Sequence, residues 1–229
     1  MKKNILFIFA AILLQCTFTF AQKGDKTFKG IITYEISYPE SNYDAATLAQ
    51  LPKIVKTTIG ETQTKVEMNT GMYSQTTFTN SEAMTVQTLM DVMGQKFLIK
   101  QTKEEIEKEI AKNPNPKIEV GNETKEIAGY TCKKATITTI DPEQGDKEIT
   151  IIAYFTEELR NDKANFEGHF RGLTGMPLSY LLEMGGMKMQ FTATTVKQQK
   201  ISDKDFAIPE GYQEITQEQL REMFGGNGE

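Results

Sequence analysis

The sequence predicts an all-β domain with minor helices, built on an antiparallel sheet of ten or so strands. Three observations predict it. Short runs rich in Thr, Val, Ile, Tyr and Phe recur along the chain, punctuated by Gly and Asn turns. Several links between these runs are tight hairpins, far shorter than the crossover of a dozen residues or more that parallel strands need. Helical spacing or capping marks only three segments.

In order, the first strands are expected at Phe28–Tyr38, Lys53–Ile59, Gln63–Met68, Met72–Thr79, Ala83–Met90 and Lys96–Gln101. Tight hairpins are expected at Asn69-Thr70-Gly71 and at Asp91-Val92-Met93-Gly94. Asp44–Leu51 reads as a short helix closed by Pro52. A second helix spans Lys103–Lys112: Thr102 caps it, Glu105 completes a capping box, and Ile106 and Ile110 form a narrow stripe able to rest on the sheet. Asn113-Pro114-Asn115-Pro116 then makes a loop, because its prolines stop a helix and cannot extend a strand.

Beyond that loop, strands are expected at Ile118–Val120, Lys125–Ile127, Cys132–Ile140, Glu148–Phe155, Leu178–Met184, Met187–Lys197 and Asp205–Ile208. The last helix, 216–224, begins at the cap Thr216 with Gln219 as its box partner. Ile215 and Leu220 stand where a hydrophobic staple puts them. Leu220, Met223 and Phe224 give the helix one apolar face, and Gly225-Gly226 ends it.

The hairpin around Gly185-Gly186 is the most specific of these elements. A two-residue turn there sets Met184 opposite Met187, Leu182 opposite Met189 and Tyr180 opposite Phe191. One face is then apolar without interruption. The other pairs Ser179 with Thr192, Leu181 with Gln190, and Glu183 with Lys188. A slip of one residue would send the apolar set to the wet face, so the register is strongly specified. The candidate ligand-binding surface is therefore Tyr180, Leu182, Met184, Met187, Met189 and Phe191, expected to line a cavity. Clustered thioethers can also hold Cu(I). With a single histidine in the chain to help them, apolar packing is the better reading of these methionines.

Catalytic constellations are missing from the sequence. No nucleophile elbow, phosphate loop or dinucleotide fingerprint occurs, and one histidine cannot make a His-based zinc site. No catalytic residue, metal or cofactor is expected. His169, within Phe166-Glu167-Gly168-His169-Phe170-Arg171-Gly172, reads as a polar loop residue near a cover. Cys132 reads as a buried thiol rather than a reactive one.

Residues 1–21 have the layout of a secretory signal peptide. Lys2 and Lys3 precede an apolar run over Ile5–Leu14, and Thr19-Phe20-Ala21 supplies small residues at the cleavage positions. An alternative is a lipoprotein box at Leu13-Leu14-Gln15-Cys16, with Cys16 acylated, but Gln15 is not the small residue such boxes use. The expectation is export to the periplasm or cell envelope, with residues 22–229 as one soluble, monomeric domain. The chain carries 26 basic and 31 acidic residues, a formal charge of −5, and the leader removes two lysines and no acid. That balance disfavours a nucleic-acid or anionic-membrane partner.

Several motifs together resemble a family of secreted bacterial domains of unknown function. They are Lys125-Glu126-Ile127-Ala128-Gly129-Tyr130-Thr131-Cys132-Lys133-Lys134-Ala135, Tyr154-Phe155-Thr156-Glu157-Glu158-Leu159, Gly175-Met176-Pro177-Leu178-Ser179-Tyr180 and Phe206-Ala207-Ile208-Pro209-Glu210-Gly211-Tyr212. That family is grouped with periplasmic lipoprotein carriers of the LolA type. The resemblance implies a curved, unclosed antiparallel barrel, its concave side covered by helices, with an apolar cavity for acyl chains. A lipid or acylated protein is then the expected partner. The alternative is a structural or interaction module of the envelope whose cavity its own side chains fill.

Overall fold

The computed structural model describes residues 27–71, 73–112, 115–141, 147–184 and 187–224. The expected leader, with Cys16, and the expected turn at Gly185-Gly186 lie outside the described residues. Twelve strands form one sheet: β1 (Gly30–Ser37), β2 (Ile54–Ile59), β3 (Gln63–Asn69), β4 (Tyr73–Asn80), β5 (Thr85–Val92), β6 (Gln95–Gln101), β7 (Lys117–Ile127), β8 (Tyr130–Asp141), β9 (Lys147–Thr156), β10 (Met176–Met184), β11 (Met187–Gln198) and β12 (Gln213–Glu214). Their order across the sheet is β12-β6-β5-β4-β3-β2-β1-β11-β10-β9-β8-β7. All neighbours are antiparallel except β12, which runs parallel to β6.

The sheet is open and strongly curled. Gln101 of β6 and Ile149 of β9 line one cavity, although eight strand steps separate β6 from β9. In a flat sheet, at about 4.8 Å per step, they would lie roughly 38 Å apart. The face inside the curl carries the core: Ile32, Tyr34 and Ile36 of β1, Val55 and Ile59 of β2, Leu178 of β10, and Phe191 and Ala193 of β11 pack as one cluster. Ala135, Ile137, Ile151, Ala153 and Phe155 of β8 and β9 continue it.

Three helices accompany the sheet, the second and third packed on its concave side. α1 (Ala45–Gln50) is short, with Asp44 as its cap. α2 (Lys103–Lys112) starts at the expected box: the Thr102 amide donates to Glu105 at 2.7 Å, and the Glu105 amide donates to the Thr102 hydroxyl at 3.4 Å. Its Ile106 is 2% exposed. α3 (Gln217–Phe224) has the reciprocal Thr216–Gln219 box at 2.9 and 3.1 Å. Ile215 and Leu220 pack together against Met90, Phe97 and Ile99 of the concave face.

Two expected elements differ. Asp205–Ile208 is not a strand: a 3-10 turn spans Asp203–Phe206, because Ser202 and Asp205 close a capping box on each other. Phe206, Ile208 and Tyr212 then cover Phe78, Leu89 and Leu98 on the convex face. The chain next reaches the sheet edge as β12, so its C-terminal stretch wraps β6 from both sides. The other correction joins Ile118–Val120 and Lys125–Ile127 into the single strand β7, whose register shifts between Val120 and Thr124. The β5–β6 hairpin turns at Met93 and Gly94, both at positive φ, as a two-residue connection of this hand requires. Among the described residues no helix is long and apolar enough to cross a membrane.

Candidate functional site

The hairpin register is the expected one. Tyr180 pairs with Phe191, Leu182 with Met189 and Met184 with Met187, while Glu183 meets Lys188 on the opposite face. The five members with described side chains face into the curl, where they meet different fates. Met189 and Phe191 are buried in the core. Tyr180 stacks on Phe191 with ring centroids 4.8 Å apart, and takes Phe170 edge-on at 4.9 Å and Tyr34 at 5.9 Å. Such pairs add about 1 kcal/mol each beyond burial. Met187 packs against that core. Of the five whose side chains are described, Leu182 is the one that lines the cavity. The side chain of Met184 lies outside the described residues.

The cavity has a volume of about 600 Å³ and lies between the sheet, α2 and the loop joining β9 to β10. Roughly 300–1,000 Å³ is the range of small-molecule sites. Ile106 and Ile110 of α2 face Ile149, Ile151 and Leu182 across it, and Ile140 joins the lining. The hairpin ends contribute charge: Lys147 and Glu148 open β9, and Glu183 and Lys188 flank the β10–β11 turn. Lys188 is ion-paired to Glu40. The lining is thus aliphatic with charged groups, rather than apolar throughout as the sequence suggests.

From the other end of the sheet comes the loop 157–175, which carries Glu167, His169 and Arg171 to the cavity. Its fold is set by two asparagines. Asn161, 1% exposed, donates to the carbonyls of Phe28 and Gly60 at 3.1 and 2.9 Å, and accepts from the amides of Lys163 and Ala164. Asn165 donates to the carbonyls of Leu173 and Gly175 at 3.1 and 2.8 Å. Within the loop Phe170 seals against Tyr180. The Glu167 carboxylate accepts from the Thr79 hydroxyl of β4 at 3.3 Å. Burial, opposed by that bond and reinforced by Glu109, pushes its carboxyl up to about 7.

Sequence reading placed His169 in a loop near a cover but did not single out Glu167 or Arg171. The heptad of aromatics and glycines around them is the only signal, and it does not say which way the loop folds.

The chain matches no model of a known protein family and no curated protein.

Among the described residues no three His, Cys, Asp or Glu side chains gather as metal ligands. Cys132 is fully buried away from the cavity, in the core beneath β1 and β10. Burial, with Glu126 and Glu158 adding to it, pushes the thiol up to about 11, so it stays protonated through the neutral range. The native protein is expected to leave an aromatic disulfide reagent unreacted at about pH 8 and to react fully once unfolded. Rapid native labelling would contradict that burial.

Proposed function

We propose that this protein is a non-enzymatic binding protein of the cell envelope, taking the aliphatic chain of a lipid or lipid-modified partner between its curled sheet and α2. One observation carries the reading: a cavity of ligand size whose opposed walls, Ile106 and Ile110 against Ile149, Ile151 and Leu182, are aliphatic. The LolA-like motif order and the signal-peptide layout of residues 1–21 support it, and with them the finer description of the fold as an unclosed LolA-like barrel. A second reading is a structural or interaction module with a self-filled core. The stack of Tyr180 on Phe191, closed by Phe170, favours it, because that stack covers the middle of the expected apolar face.

Titration with a fluorescent alkyl-chain probe separates the two. The wild type is expected to bind the probe, and Ile110→Glu, at a half-buried position on the roof helix, to weaken binding about tenfold or more with an unchanged melting temperature. A wild type that takes up no probe supports the self-filled module, as does equal uptake by the variant.

A further inference from the structure

The charges around this cavity narrow the chemistry of its guest, an inference that rests on the binding reading above. We propose that the ligand carries a protonated amine on its aliphatic chain, and that Glu167 receives it.

Glu167 reaches the cavity from the end opposite the hairpin tips. Among the described residues its one side-chain hydrogen bond is the long one from Thr79, and no lysine or arginine pairs with it. The charge that acts on it is a like one, Glu109 of α2, whose carboxylate already accepts from Gln101. Two acidic groups thus line the cavity beside the Ile106–Ile110 stripe, and among the described residues neither is ion-paired to a lysine or arginine.

The other charges facing the cavity do not supply that cation. Lys188 of β11 is held by Glu40, with Glu183 of β10 beside it. Arg171, on the same loop as Glu167 and His169, is itself engaged. Lys147 and Glu148 of β9 are exposed at the strand end, where water and salt screen them. The charge acting in the least polar surroundings is therefore that of Glu167. An ammonium group brings three donors and a positive charge to a carboxylate with acceptor capacity to spare. A fatty-acid carboxylate would meet like charge instead.

Proton linkage gives the proposal a second signature. An amine binds the ionised form of Glu167, and burial raises that carboxyl to about 7. Affinity for the amine should then rise as pH rises through that value, by about tenfold between about pH 6 and pH 8.

The test compares dodecylamine, dodecanoate and dodecanol as competitors of the alkyl probe, each below its micelle-forming concentration. Wild type and Glu167→Gln are measured, both checked by thermal melting. The wild type is expected to bind dodecylamine about tenfold or more tighter than dodecanoate, with the pH dependence above. Glu167→Gln should erase both the preference and the pH dependence while keeping its affinity for dodecanol. Dodecanol binding without a head-group preference, or a preference that survives Glu167→Gln, overturns the amine assignment and leaves the binding reading standing. Failure of all three compounds to bind overturns both.

Discussion

Asn161→Ala is expected to destabilise the protein by about 3–5 kcal/mol, lowering the melting temperature by roughly 10 °C. The side chain is 1% exposed and satisfies four backbone groups from three parts of the chain. Its amide ties the entry to β1, through Phe28, to the end of β2, through Gly60. Its carbonyl oxygen holds the first turn of the cavity loop. Alanine leaves the carbonyls of Phe28 and Gly60 buried without that donor, and an orphaned buried polar group costs about 1–3 kcal/mol. The same change at half-buried Asn165, which donates only to Leu173 and Gly175, should cost less. A melt of Asn161→Ala within about 2 °C of the wild type would contradict the role assigned to this residue.

Gly175→Ala should be comparably severe, for a different reason. The residue sits at φ 117°, a region L side chains rarely adopt, and a Cβ there would lie 2.3 Å from the carbonyl oxygen of Thr156. That oxygen belongs to the backbone of β9 next to the β10 pairing, so it cannot swing away as a flexible side chain could. Backbone conformation alone costs of order 1–3 kcal/mol, and the overlap adds to it. Gly94→Ala isolates the first contribution, since its φ is 86° but nothing lies within 4 Å of the added carbon. Chemical denaturation should therefore place Gly175→Ala well below Gly94→Ala. Equal midpoints would mean that β9 and β10 separate at little cost.

These two residues show where the sequence is mute. Asn161 and Gly175 lie in a loop whose asparagines and glycines read as ordinary turn residues, and their partners are remote in the chain. Glu167 is hidden for the same reason: a glutamate between Phe166 and Gly168 looks solvated until Thr79 and α2 close over it. Where local signals agree, by contrast, sequence and structure coincide. The β10–β11 register follows from strict alternation on both strands, and α2 and α3 have the expected bounds because their capping boxes form. Gly121-Asn122-Glu123 mimics a turn within β7, but the strand absorbs it as a register shift. The alternation of Phe206 and Ile208 mimics a strand, yet the Ser202–Asp205 box folds that segment first. The five described side chains of the apolar face lie on the expected side, but sequence could not foresee that Phe170 would cover part of it and leave Leu182 to the cavity.

Photo-crosslinking decides most directly whether the cavity takes an aliphatic chain. An alkyl diazirine is bound to the wild type, irradiated, and its attachment points are mapped by peptide mass spectrometry. Labels are expected on Ile106, Ile110, Ile149 and Leu182, and excess dodecanol should suppress them. Labels scattered over the convex face, or labels that dodecanol does not reduce, would contradict a ligand site between the sheet and α2.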